Sequence, residues 1–285
     1  MTTRSLLGRL AVLAGLIGCL PAFAQNTCEP AKLATKYPSL VGKTLKIGVD
    51  AQTPPYVMRD SKDFSKLVGF DADLARHVMD CIGVKYEFFV GNWSGLLPAL
   101  NAKQIDIFWD NLYYTAERAK QVNYVTYMQA ASGALAAVGN PKGATGFDKL
   151  CGLSVAVGVG TVDGALMAGE DAKCKAAGKP GLNVMVFPDV ASGARLVQSG
   201  RADVMLYDLV LIDGLVKDNP KMYTRAFMGL SGLYNGVAVS KDSTELLNAI
   251  RDGLQIAQAS QTQKAIFEKY TMDPALQATP EIKTR

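Results

Sequence analysis

The amino-acid sequence predicts an α/β protein built as two lobes. Three observations support this. The chain has 285 residues, more than a minimal domain and fewer than three would need. Short β-rich runs alternate with stretches of helix-spaced apolar residues, the pattern of βαβ units around a mostly parallel sheet flanked by helices. The alternation is interrupted once, at Gly139-Asn140-Pro141-Lys142-Gly143, and then starts afresh.

Leu45-Lys46-Ile47-Gly48-Val49 reads as the first strand, ended by Thr53-Pro54-Pro55-Tyr56. Asp71 is placed as the N-cap of a helix that carries Leu74, Ala75, Val78, Met79 and Ile82 on one face. Residues 86–90 form a β-rich run, Ser94 caps a helix bearing Leu96, Leu97 and Leu100, and residues 105–109 return to strand. An apolar run over residues 134–138 precedes the punctuated patch. The second half then gives strands at 153–157, 184–187 and 203–206, with helices opening at Gly160-Thr161, around residue 191 and at Asp208. A late strand covers residues 234–239, and helices are expected from Thr244 to the end.

The first nine residues contain Arg4 and Arg9 and no acid, residues 10–20 are apolar, and Ala22-Phe23-Ala24 is a small-x-small cleavage site before Gln25. These are the parts of a signal peptide, and the apolar stretch is short for a membrane span. Residues 1–24 are therefore read as a leader and the mature protein as periplasmic. Leu16-Ile17-Gly18-Cys19 resembles a lipobox, but residues 20–24 stay apolar, which favours the soluble form over anchoring through Cys19. Without the leader's two arginines the formal charge falls from +4 to +2 and no basic run remains, so no nucleic acid is expected as a partner. Hydrophobic residues at 49% are enough for a packed core and argue against disorder.

Four cysteines follow the leader: Cys28, Cys81, Cys151 and Cys174. An even number in an oxidising compartment implies disulfides, with three possible connectivities. Pairing Cys28 with Cys81 and Cys151 with Cys174 keeps each bridge within one half. There is no CxxC, and His77 is the only histidine, so neither a metal nor a cofactor is expected.

Three places have the chemistry of a binding site. Gly158-Val159-Gly160-Thr161-Val162-Asp163-Gly164 joins a strand to a helix; its GxGxxxG spacing misses the dinucleotide fingerprint by one residue. Free N–H groups at such a helix start still suit a carboxylate, although a plain glycine turn reads the same way. Arg118, in Thr115-Ala116-Glu117-Arg118, follows a strand end, where a guanidinium binds a carboxylate through two parallel hydrogen bonds or simply faces solvent. Asp208 ends a strand at the sheet edge where α/β folds bind ligands, and it is equally a helix N-cap.

Seven strings in this order resemble the polar amino-acid-binding family of periplasmic solute-binding proteins, family 3 of the ABC transporters: LKIGVDAQTPPY, VGFDADLARHV, WSGLLPALNAKQIDI, YYTAERAKQVNYV, LCGLSVAVGVGT, SGRADVMLYD and YNGVAVSKD. The resemblance implies the type II fold, two lobes joined by two hinge strands. The expected boundaries are residues 25–136 with 237–285 for lobe 1 and 137–236 for lobe 2, with crossings near 134–138 and 236–239. It implies that Arg118 clamps a ligand α-carboxylate, aided by Thr161 and the Val162 amide, and that Asp208 binds the α-amino group. Trp93 packs on the ligand side chain, and Asp50 reads a polar or cationic one. The chain departs from the family's pattern at Asp110-Asn111-Leu112-Tyr113, where small hydroxyl residues are usual; Tyr113 replaces one that helps hold the ligand. Val162 and Thr53 also depart, from a second threonine and an aromatic lid. Asp110, Asn111 and Tyr113 therefore join the expected ligand-binding residues, and Asp50, Asp110 and Asp163 with the added aromatics point to a cationic or aromatic-compatible ligand, unless those aromatics belong to the core.

The implied function is capture of a small amino acid or related amine by a monomer, with hinge closure, and delivery to an inner-membrane ABC permease. No enzyme is expected. The alternative is an exported dehydratase for cyclohexadienyl acids on the same fold, in which Asp110 or Asp163 acts as general acid.

Overall fold

The structure, a computed structural model, describes residues 27–284. The leader at residues 1–24 and the lipobox at Cys19 lie outside them. A short helix, α1 (Leu33–Lys36), precedes β1 (Thr44–Val49). Three short strands, β2 (Gln52–Thr53), β3 (Val57–Arg59) and β4 (Leu67–Val68), form a small antiparallel sheet that leads into α2 (Phe70–Ile82). Lobe 1 continues through β5 (Lys85–Val90), α3 (Trp93–Asn101), β6 (Ile107–Phe108), α4 (Ala116–Ala119) and β7 (Val122–Ala130). Lobe 2 comprises β8 (Ser132–Ala137), β9 (Ser154–Gly158), α5 (Val162–Ala176), β10 (Asn183–Phe187), α6 (Val190–Gln198), β11 (Val204–Asp208), α7 (Leu209–Asp218) and β12 (Tyr223–Met228). The chain returns to lobe 1 through β13 (Leu233–Ser240), α8 (Thr244–Ala259), α9 (Thr262–Lys269) and β14 (Gln277–Lys283).

The lobe 1 sheet runs β14-β7-β13-β6-β1-β5 and the lobe 2 sheet β10-β9-β11-β8-β12. In both, the strands of the βαβ units pair in parallel, and the strands beside the crossings pair antiparallel. The carboxyl ends of β6 and β11 therefore meet at the cleft between the sheets, where open α/β folds bind ligands.

Four sequence expectations shift. The chain changes sheet at Ala131 and again over residues 229–232, earlier than the boundaries at 136 and 236. The apolar run read as a crossing is β8 itself, held between β11 and β12, and its apolar character reflects burial in the middle of a sheet. Asp71 is not a cap. Gly69, at φ 127°, occupies the N-cap position of α2, and Asp71 sits in the first turn, fully buried. Nor does Ser94 cap α3, which starts after Asn92. Finally, α8 and α9 are followed by a further strand, β14, antiparallel to β7 at the sheet edge, where Pro280 needs no ladder donor.

Cys28–Cys81 and Cys151–Cys174 form disulfides, one in each lobe. His77 lies beside the first bridge; its Nε2 has no partner among the described residues, and burial lowers its pKa. Among the described residues no helix is long and apolar enough to cross a membrane.

Candidate functional site

The sharp turn between β9 and α5 builds one side of the cleft. Gly160 has φ 74°, a conformation that L side chains rarely adopt, and a Cβ built there would approach Trp93 and Ser94 of the opposite lobe within 4 Å. The turn brings Thr161, Val162 and Asp163, at the start of α5, to the cleft. The Thr161 hydroxyl donates to Gly158 O (2.9 Å), which leaves its oxygen free to accept.

The other side is built by the segment after β6. Thr115 caps α4 by accepting from Arg118 N (3.1 Å), which fixes where the Arg118 side chain leaves the backbone. The guanidinium then donates to Tyr113 O (2.8 Å) and, across the cleft, to Gly160 O (2.9 Å). It lies 5.4 Å from the Trp93 ring centroid, a cation–π distance. Burial lowers its pKa, though a guanidinium remains charged throughout the accessible range.

Asp208 both caps a helix and ties the lobes together. Its Oδ1 accepts from Val210 N (3.0 Å) and Leu211 N (3.1 Å) at the start of α7, and from the Tyr56 hydroxyl of lobe 1 (3.2 Å). Its Oδ2 faces the Tyr113 hydroxyl (2.7 Å). That hydroxyl also lies 2.9 Å from Ala131 O at the crossing between lobes. One phenolic proton cannot serve both acceptors. Tyr113 donates to Asp208 when the acid is ionised, and to Ala131 when Asp208 is protonated and donates to Tyr113 in turn. Burial pushes the Asp208 pKa up to about 6, against the opposing hydrogen bonds from Tyr113 and Leu211.

Trp93, Asn111, Tyr113, Arg118, Thr161, Val162, Asp163, Tyr207 and Asp208 together line one cavity between the lobes. Seven of the nine predicted ligand residues are among them. Asp50 and Asp110 are not, because their oxygens are engaged behind the wall. Asp50 accepts from Trp93 N (2.9 Å) and Gln52 N (3.0 Å). Asp110 accepts from Asp50 N (2.6 Å) and the Thr53 hydroxyl (2.8 Å), and its carbonyl receives the Trp93 indole N–H (3.0 Å). These two acids position the cleft aromatic. Behind them Asp71 accepts from the Tyr127 hydroxyl and from Asn111 N; burial pushes it up to about 7. Asn111, at φ 46°, is thereby held in a left-handed turn with its side chain at the cavity.

Asp163 and Tyr207 also line the cavity and were not among the predicted ligand residues. Both adjoin predicted ones: Asp163 follows Val162 into the first turn of α5, and Tyr207 precedes Asp208. Trp109 is fully buried in the core. Larger hollows elsewhere, such as the one beside Ser39, Lys103 and Asp242, do not bring buried titratable groups together in this way.

Comparison with known proteins matches residues 45–273 to the bacterial extracellular solute-binding proteins, family 3. The L-cystine-binding protein TcyJ of Escherichia coli (strain K12) is 27% identical over 228 residues, 80% of this chain and 82% of that protein. The lysine/arginine/ornithine-binding periplasmic protein of the same organism is 30% identical over 247 residues, 83% of this chain and 90% of that protein. The structure of an ancestral arginine-binding protein bound to arginine superposes with a TM-score of 0.72 at 30% identity, covering 80% of this chain and 97% of that one.

Proposed function

The chain belongs to the family 3 bacterial extracellular solute-binding proteins, and from that premise we propose that it captures a single small amino acid in the cleft and delivers it to an ABC permease. It acts outside the cytoplasm, and its role is binding, not turnover. The observation behind the amino-acid reading is the convergence of Arg118, the start of α5 and Asp208 on one cavity. A ligand carboxylate is matched by a guanidinium and free helix N–H groups, an ammonium by a carboxylate. In this reading the ligand carboxylate takes over the guanidinium donors now given to Tyr113 O and Gly160 O. The ligand ammonium takes the remaining acceptor capacity of Asp208 Oδ2. A ligand touching both lobes stabilises the closed arrangement by its differential affinity. The protein works as a monomer, and the exposed faces of both lobes in the closed state are what the permease meets.

The test is titration calorimetry of the exported protein with the twenty amino acids, repeated with Arg118→Ala. Loss of the paired charge costs on the order of 3 kcal/mol, about a hundredfold in affinity. Binding that survives Arg118→Ala undiminished removes the carboxylate clamp and with it the amino-acid reading.

A further inference from the structure

Two acceptor oxygens in the cavity have no hydrogen-bond partner among the described residues: Oδ1 of Asp163 and Oδ1 of Asn111. Both residues are more than nine-tenths buried, at 1% and 6% exposure, and both line the cavity that holds Arg118. They come from opposite lobes, Asn111 from the turn after β6 and Asp163 from the first turn of α5. A buried acceptor without a donor is costly, and a carboxylate oxygen more so than an amide oxygen. The fold satisfies its other cleft acids: both oxygens of Asp50, Asp71, Asp110 and Asp208 accept hydrogen bonds.

We infer that Asp163 and Asn111 form a receptor for a second cationic group on the ligand, making the preferred ligand an amino acid of net charge +1. This rests on the amino-acid reading, which assigns the α-carboxylate to Arg118 and the α-ammonium to Asp208. The charges lining the cavity support it independently. One cation, Arg118, faces two acids, Asp163 and Asp208. A neutral amino acid would close the lobes around an uncompensated negative charge, whereas a ligand of charge +1 leaves none. An ammonium or guanidinium also supplies the several N–H donors that two separate oxygens require. The role expected of Asp50 thus falls to Asp163, because the oxygens of Asp50 already hold Trp93 and Gln52. An acidic amino acid meets like charge at Asp163 and is rejected.

The experiment is calorimetry of the exported protein with L-ornithine, L-lysine and L-arginine, with L-norvaline and L-norleucine as neutral controls of matched length and L-glutamate as the acidic one. Wild type binds a cationic member at least tenfold more tightly than the neutral ones and gives no heat with glutamate. Asp163→Asn keeps the side-chain size and weakens the cationic ligand by about 30-fold or more, while the neutral ligands bind unchanged or better. Asp163→Glu retains the preference, and melting curves confirm that both variants fold. Neutral amino acids bound as tightly as cationic ones, or an Asp163→Asn loss equal for both classes, overturn the inference. If those ligands still depend on Arg118, the amino-acid reading stands without it. If nothing in the panel binds, both fall.

Discussion

Asp110 in lobe 1 and Asp163 in lobe 2 are both almost fully buried beside the same cleft, yet the fold treats them in opposite ways. Asp110 is matched on both oxygens, by Asp50 N and by the Thr53 hydroxyl. Asp50 and Asp71 are matched in the same way by groups of their own lobe. Together the three acids shape the wall that carries Trp93 and Asn111. On the lobe 2 side, Asp208 draws hydroxyls from across the cleft, and Asp163 has one oxygen unmatched among the described residues. A buried acid is therefore structural or ligand-directed according to how many donors its own lobe supplies, not according to its depth.

Substitution should separate the two kinds most clearly in stability. Asp110→Ala strands the Asp50 N–H without an acceptor, while the Thr53 hydroxyl falls back on Asp50 O and Val57 O, so the cost is about 1–3 kcal/mol. Urea unfolding measures it. Asp163→Asn removes a poorly solvated charge and leaves unliganded stability level or slightly raised. Equal losses in the two variants would erase the distinction.

Solution pH acts next. Burial raises Asp71 to about 7 and Asp163 and Asp208 to about 6, from an ordinary value near 3.8. Around Asp163, Arg118 and the Ser132 hydroxyl oppose the rise, and Tyr113 and Tyr207 also lie within its field. Between about pH 4 and 7 the folded protein holds protons that the unfolded chain has released. Its unliganded stability is therefore greatest at the acid end of that window and falls as pH rises through it; burial also raises Asp50 and Asp110, which act in the same direction. Affinity for a cationic ligand runs the other way, because the ligand selects ionised Asp163 and Asp208; below pH 6 it weakens by up to about tenfold per unit for each acid. Melting temperatures with and without L-ornithine at pH 5, 6, 7 and 8 give both slopes. Slopes of the same sign would mean that the cleft acids do not titrate with the ligand.

The smallest effect belongs to the hydroxyls that cross between lobes. Tyr56→Phe removes one donor at 3.2 Å from an oxygen that keeps two backbone N–H groups, a loss of about 0.5–1 kcal/mol. Tyr113→Phe removes the shorter bond, 2.7 Å, from the only donor to Asp208 Oδ2 among the described residues, and costs more. Small-angle scattering of the unliganded proteins then shows a larger radius of gyration for Tyr113→Phe than for Tyr56→Phe. The reverse order would move the principal tie to Tyr56.

Most of this architecture is legible in the sequence, because the alternation of period-2 and period-3.6 segments is local. β1, α2, β9, α5, β11 and α7 each fall within a few residues of the predicted positions. β7 was not assigned because Asn123 and Thr126 dilute its apolar run; both are buried in the structure, covered by neighbouring elements on either side. β14 is polar and contains Pro280, a composition that only an edge strand tolerates. At the site, places at strand and helix ends mark Arg118, Thr161 and Asp208 as candidates, but a surface arginine, a glycine turn and a helix cap read the same way, and only the family resemblance gives them ligand roles. Asp50 and Asp110 were given to the ligand because no local signal shows that a backbone N–H forty or sixty residues away will reach a carboxylate first. Asp163 was seen as negative charge, but its lack of a partner emerges only when both lobes are assembled.

The order of the strands also determines how motion in this molecule should be read out. Cys28 is bonded to Cys81, and β14 pairs with β7, so both described ends of the chain ride on lobe 1. Lobe 2 is one uninterrupted insertion between Ala131 and residues 229–232. Fluorophores fused at the two ends would travel together and register nothing when the cleft shuts. One dye must sit on the insertion, and Val186, 62% exposed on the outer edge strand β10, is a suitable place. The same continuity makes lobe 2 exchangeable as a cassette: transplanting that single stretch between relatives would carry the start of α5, Asp163 and Asp208 together, and with them one whole side of ligand choice.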